Sequence, residues 1–119
     1  MIFREMTPRD RAFVVNTWVR SSAYRMPMRK RWQHVDAFIN GGARVVILGG
    51  ENGAVHAWAC GEDDVLHYVY VPLDLRGEGL ARAVITELLG EYAERINVTH
   101  PWPRPSSRWR TVDPVRTAA

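Results

Sequence analysis

A β-rich run, Val65-Leu66-His67-Tyr68-Val69-Tyr70-Val71, is followed by Pro72-Leu73-Asp74-Leu75-Arg76-Gly77-Glu78-Gly79 and then by an amphipathic stretch that begins at Leu80. Glycines at 77 and 79 remove Cβ atoms where backbone amides would approach a ligand, and the first N–H groups of the following helix have no partner within it. Such amides, together with the positive end of the helix dipole, suit a phosphate or pyrophosphate, and Arg76 adds a positive charge beside them. A glycine pair between strand and helix is equally ordinary turn chemistry, so the pattern by itself leaves both readings open. The single cysteine, Cys60, excludes an internal disulfide and a multi-cysteine zinc site, and no two histidines stand at helical ligand spacing. No metal is expected, and Cys60, at a strand end with no base beside it, reads as packing and not as a nucleophile.

The elements that must hold this loop follow from capping signals and apolar periodicity. Ile2–Met6 reads as a first strand. Thr7-Pro8-Arg9-Asp10 then starts a helix, with Thr7 as N-cap, Pro8 at the first helical position and Asp10 reaching back, and Val14, Val15, Trp18 and Val19 share one face to about Ser22. Pro27 interrupts. A second helix begins near Met28, with Met28, Trp32, Val35, Phe38 and Ile39 along one side and Gly41-Gly42 placed to end it through a left-handed cap. From Ala43 the period changes. Arg44–Leu48 and Ala54–Cys60 read as a hairpin across Gly49–Gly53, Gly61-Glu62-Asp63-Asp64 as a second turn, and Val65–Val71 as the strongest strand. A helix from Gly79 to about Tyr92 carries Leu80, Val84, Leu88 and Ala81, Ile85, Leu89 at helical spacing, and Ile96–Thr99 is a short strand candidate.

The chain has 119 residues, 46% of them apolar and 24% charged, which suffices for one domain with its own core: residues 1–99 as the body and 100–119 as an arm holding four of the seven prolines. No apolar run approaches the roughly 20 residues of a membrane span, and Met1-Ile2-Phe3-Arg4-Glu5 lacks the pattern of a secretory signal, so a cytoplasmic protein without membrane attachment is expected. The net charge of +3 rests on fifteen arginines and one lysine, Lys30. That skew suits phosphate or nucleic-acid contact, or records a GC-rich coding sequence.

The spacing Val69-x-Val71-Pro72-x-x-x-Arg76-Gly77-x-Gly79-Leu80-Ala81, after an antiparallel meander and before an amphipathic helix, resembles the GCN5-related N-acetyltransferase (GNAT) superfamily. Arg76, Gly79 and Ala81 meet its acyl-CoA signature, Arg/Gln-x-x-Gly-x-Gly/Ala, and the element order from about residue 2 to 99 agrees. A narrower similarity, through Trp18-Val19-Arg20-Ser21-Ser22 and His67–Val71, is to short members encoded by tailed phages, which would place the protein in a host cytoplasm. The resemblance implies an α+β three-layer fold, a mixed and mostly antiparallel sheet flanked by helices, here with a shortened C-terminal part. It implies acetyl-CoA, or another acyl-CoA, as cosubstrate. The backbone of Val69, Tyr70 and Val71 would pair with the pantetheine arm as an added strand, and the amides of Arg76, Gly77, Glu78, Gly79, Leu80 and Ala81 would cradle the pyrophosphate. The thioester would lie where the fourth strand splays from the fifth, and an amine would attack it directly.

For the base the resemblance points to His67, where the arylalkylamine branch is similar in carrying a histidine, and an imidazole titrates in the range this task needs. His67 reads equally as a strand residue satisfied by a backbone partner. Glu62, Asp63 and Asp64 could accept a proton through water, but as turn residues they need no such role. An amide near Tyr68 or Val69 would polarise the thioester carbonyl. The tyrosine that the family often uses as thiol acid has no counterpart after Thr99, so Tyr70 or Tyr92 would have to substitute. Trp18, Tyr24, Trp32 and Phe38 would stand near the acceptor entrance, with Trp18 and Trp32 better read as core. Arg25, Arg29, Lys30 and Arg31 form a basic run that is either a solvated face, the default, or a contact for an acidic or nucleic-acid acceptor. The reading is therefore an N-acetyltransferase acting on a primary amine of a small molecule, protein or modified base. The alternatives are a CoA- or partner-binding module without catalysis and a nucleic-acid contact protein using the arginine and tryptophan residues. Pro101–Ala119 would supply a reduced sheet edge, or a second copy of the chain would cover it.

Overall fold

The computed structural model describes residues 1–20, 27–50, 52–91, 97–98 and 110–111. Tyr24, Arg25, Tyr92 and all of the arm except Arg110 and Thr111 lie outside the described residues. The elements are β1 (Ile2–Glu5), α1 (Pro8–Val19), α2 (Met28–Asn40), β2 (Arg44–Gly49), β3 (Val55–Glu62), β4 (Val65–Tyr70), α3 (Leu80–Leu89), β5 (Asn97–Val98) and β6 (Arg110–Thr111). The strands form one sheet in sequence order, antiparallel from β1 to β4, with β5 and β6 added in parallel.

β2 and β3 alternate their apolar residues between two cores, and β4 contributes to both, which makes three layers. Val45, Ile47, Trp58, Cys60 and Tyr68 meet Val14, Val15, Trp18, Val19, Val35 and Phe38 of α1 and α2 on one face. Val46, Leu48, Ala57, Ala59 and Leu66 meet Val84, Ile85, Leu88 and Leu89 of α3 on the other. Trp18 is fully buried and centres the first core, 5.7 Å from the rings of Phe38, Trp58 and Tyr68. Trp58 Nε1 donates to the Thr17 hydroxyl at 3.0 Å, so the indole of the sheet is tied to α1.

The helix ends follow the sequence signals. At α1 the Asp10 carboxylate accepts from the Thr7 amide at 2.9 Å and hydroxyl at 2.8 Å, and takes both guanidinium nitrogens of Arg4 at 2.5 and 2.9 Å. At the end of α2 the left-handed residue is Gly42 (φ 91°), and the amides of Gly42 and Ala43 return to the carbonyls of Ile39 and Phe38 at 3.3 and 3.2 Å. Two sequence expectations need correction. Trp32 is not core: it is 40% exposed and Met28 49%, because the buried stripe of α2 centres on Val35 and Phe38 and leaves both at its margin. Glu62 is not a turn residue: β3 runs through it and pairs Glu62 with Val65, so the connection is Asp63-Asp64 alone, with Asp63 at φ 52°. Arg110–Thr111 pairs with β5, as an edge supplied by the arm would.

Candidate functional site

The glycine loop sits where β4 leaves the sheet. Pro72 starts a single 3-10 turn, Leu73–Leu75, and the chain then passes through Gly77 (φ 88°) and Gly79 (φ 79°) into α3. L-residues adopt that backbone region at a cost of about 1–2 kcal/mol, so both glycines are required by conformation. A Cβ at either would meet no protein atom within 4 Å, so the loop is open on its outer side. Gly79 is the N-cap of α3 and no side chain caps the helix. The amide of Ala83 makes the first helical bond, to the Gly79 carbonyl at 3.1 Å, which leaves the amides of Leu80, Ala81 and Arg82 ahead of the ladder.

The contrast with α1 is informative. There Asp10 neutralises the dipole and fills the cap; the first turn of α3 has no acidic residue and holds Arg82 instead. An anion is stabilised at such an end by the dipole and by the unpaired N–H groups together. Arg76 does not extend freely: its Nε donates to the Val71 carbonyl at 2.9 Å and closes the base of the loop. Val71's oxygen thus already accepts one bond, and pairing along the strand edge would rest mainly on Val69 and Tyr70.

Among the described residues that edge is open over most of its length. β5 pairs with β4 only at Val65↔Asn97 and Leu66↔Val98, so among the described residues β4 from His67 onward has no neighbour on its β5 side. The geometry therefore joins a strand edge that is unpaired among the described residues to the loop of two left-handed glycines and the uncapped helix start.

The proposed base stands apart from that loop. β4 carries a bulge, for Cys60 pairs with Tyr68 but Gly61 with Leu66, and His67 is the extra residue. Leu66 faces the α3 core whereas Tyr68 faces the α1/α2 core, a reversal that two residues of regular strand could not produce. His67 itself is 0% exposed and stacks on Phe38 with centroids 3.9 Å apart. Its Nε2 lies 3.3 Å from Oε1 of Glu62, a partner that sequence reasoning missed. The glycine at 61 is the signal that could have shown the bulge: a Cβ there would collide with the Val65 carbonyl and touch Leu88.

Tyr70 is half-buried, edge-on to Phe13 of α1 at 6.0 Å and stacked on Trp58 at 6.2 Å. It stands three residues of strand beyond His67, roughly 10 Å, so the two do not form one cluster. Cys60 is enclosed, and burial with the nearby Glu62 charge pushes its thiol far above the ordinary range, which holds it neutral. A cleft of about 360 Å³ lined by Gly42, Arg44, Glu62, Asp63, Leu88 and Leu89 lies at the opposite end of α3 from the glycine loop. Among the described residues no group of three or more His, Cys, Asp or Glu side chains could hold a metal, and no helix is long and apolar enough to cross a membrane.

No protein-family model and no curated protein matches the chain. Solved structures do. The chain is similar to a GNAT superfamily phosphinothricin acetyltransferase from Sinorhizobium meliloti, solved in complex with acetyl-CoA: 17% identity, TM-score 0.53, covering 76% of this chain and 58% of that one. It is similar to yncA of Salmonella typhimurium, a putative acetyltransferase solved with acetyl-CoA, at 22% identity and TM-score 0.52, covering 77% and 62%. It is also similar to a ribosomal-protein-alanine N-acetyltransferase from Brucella melitensis at 22% identity and TM-score 0.53, covering 79% and 68%. The architecture is thus a GNAT-like α+β fold, and the chain spans 58% and 62% of the length of the first two proteins.

Proposed function

We propose that the protein is an acyl-CoA-dependent N-acyltransferase that moves an acetyl group from acetyl-CoA to a primary amine. The observation that carries this reading is the continuity of the β4 edge, open beyond Leu66 among the described residues, with the left-handed glycines and the uncapped start of α3. Two of the structural neighbours were solved with acetyl-CoA, which supports the same cosubstrate here. The residues present fit it. Backbone groups of Val69 and Tyr70, and the remaining lone pair of Val71, offer strand-type pairing; the space beside Gly77 and Gly79 is open, the Arg76 amide is taken by the Leu73 carbonyl at 3.4 Å, and the amides of Leu80, Ala81 and Arg82 precede the helical ladder. Acetyl-CoA would supply an activated acyl carbon and a thiol leaving group.

In this reading His67 is the base, reached from solvent through Glu62 because its own surface is enclosed, and Tyr70 is the thiol acid at the far end of β4. The test is release of CoA thiol in the presence of acetyl-CoA and a panel of amines. Amine-dependent release, lost in H67A, supports the assignment. Acetyl-CoA binding with no thiol release supports a second reading, a CoA-binding module without chemistry, which the enclosure of His67 favours. Binding to DNA or RNA that weakens steeply with salt, in place of acetyl-CoA binding, would support nucleic-acid contact through Arg29 and Lys30, both exposed beside Trp32.

A further inference from the structure

The charges of the chain are unevenly placed. Between Asp10 and Asp36 the sequence holds six of its sixteen lysines and arginines and none of its thirteen acidic residues. The two acids that bracket the stretch are already taken, Asp10 by Arg4 and Asp36 by Arg11. The remainder of the chain, with ten cations against thirteen acids, is net negative, so the positive charge of the molecule is concentrated on the stretch that forms most of α1 and α2.

Folding gathers this charge at one end of the helix pair. Arg31 Nη1 donates to the Val19 carbonyl at 3.1 Å, which sets the first turn of α2 against the end of α1, where Arg20 is exposed. Arg29 and Lys30 are exposed as well, and among the described residues no carboxylate pairs with any of these three. Trp32 neighbours Arg29 and Met28 on the helix surface, at spacings of three and four residues, and it stays exposed with Met28 while Val35 and Phe38 turn to the sheet. From Arg20 back to Phe13 is roughly 10 Å along α1. Phe13, itself exposed, is edge-on to Tyr70 at the end of β4, so α1 leads from the basic surface to the strand that the cosubstrate would line.

We propose, resting on the acyl-transfer reading, that this surface docks the acceptor and that the acceptor is a single-stranded nucleic acid bearing the primary amine. Its phosphates meet Arg20, Arg29 and Lys30, and a base stacks on the Trp32 ring. The exposed indole among cations separates this occupant from others. An acidic peptide would use the charges and leave the ring idle, and Met28 with Trp32 is far less apolar surface than a helix needs to lie in a bilayer. As the N–C bond forms and the thioester C–S bond breaks, the three protons of the acceptor ammonium divide: one stays on the amide nitrogen, one ends on the departing thiol and one goes to water.

The test uses the full chain with a mixed-sequence single strand of about 20 nucleotides, as DNA and as RNA, plain and with an aminoalkyl group on one base. Fluorescence anisotropy should show binding that weakens as salt rises, and the tighter of the two arms names the strand. R29E/K30E should lower the slope of log Kd against log salt by at least about 1.4, at about 0.7 for each lost phosphate contact, and W32A should weaken binding about tenfold with the slope unchanged. Both variants should keep the parent's Kd for acetyl-CoA, which shows them folded. In thiol release, kcat/KM for the aminoalkyl strand should exceed that for the same amine on the free nucleoside at least about tenfold, and R29E/K30E should bring the two together. Equal kcat/KM for strand and nucleoside in a parent that turns over, or binding of poly-glutamate or anionic vesicles that matches the strand's, overturns the nucleic-acid acceptor and leaves the transferase reading standing. A parent that binds the strand but releases no thiol with it or with any free amine overturns the transferase reading, and the acceptor role with it.

Discussion

Replacing Gly79 by tryptophan separates the loop's conformational role from its ligand-binding role. Gly79 sits at φ 79° with no atom within 4 Å of the point where a Cβ would stand, so the substitution meets backbone strain but no collision. Strain at one left-handed position is about 1–2 kcal/mol, and Gly79 makes no side-chain cap that could be lost, so the variant stays folded. Binding should suffer far more. An indole at the N-cap covers the amides of Leu80 and Ala81, and a hydrogen bond to a charged group contributes about 1.5–3 kcal/mol. Two such bonds amount to about 3–6 kcal/mol, a loss of at least about 100-fold in affinity for acetyl-CoA. Calorimetric titration of parent and variant, beside urea denaturation of each, reads both quantities. A folded variant whose Kd equals the parent's would refute the assignment of this helix start to the pyrophosphate.

Three further outcomes follow from the fold. Asp10→Ala should cost about 2–3 kcal/mol in chemical denaturation, because it removes the α1 cap and strands the Arg4 guanidinium. The Arg4 hydrogen bonds hold the Asp10 carboxyl well below the usual carboxylate range, so its stabilisation is complete above the unfolded value near pH 4 and declines as pH falls from there toward the lower folded value; in a melting series from pH 6 to pH 2 the gap between parent and D10A should therefore narrow below about pH 4, and a gap that stays constant would contradict the pairing. Gly61→Val, which drives a side chain into the Val65 carbonyl and Leu88, should destabilise by about 3 kcal/mol or more, and an unchanged urea midpoint would show that the bulge is not built as described. Cys60 should resist thiol reagents in the native protein and react at once after unfolding; rapid native labelling would contradict its enclosure.

The fold was legible where a residue type has one strong local use. Thr7-Pro8-x-Asp10 and Gly41-Gly42 set the ends of α1 and α2, and the β-branched runs separated by glycine turns set the β2–β3 hairpin. The glycine loop was legible for the same reason, since two positive φ values before a helix demand glycine. What escaped was tertiary. Gly61-Glu62-Asp63-Asp64 has the composition of a four-residue turn, yet pairing with Val65 extends β3 through Glu62. The bulge preserved the β-rich composition of β4 while reversing its faces, so His67 and Tyr68 both turn toward α1 and α2, and the Glu62–His67 contact depends on that reversal. Trp32 escaped because helical spacing gives a stripe but not the point at which the sheet beneath it ends.

The most direct test of the central claim is a map of amide shifts in a nitrogen-15 spectrum as acetyl-CoA is added to the full chain. The account predicts saturable shifts at Val69, Tyr70 and the amides from Gly77 to Arg82, with the largest at Leu80 and Ala81. Shifts confined instead to the cleft around Arg44, Asp63 and Leu88, or none at all, would contradict it.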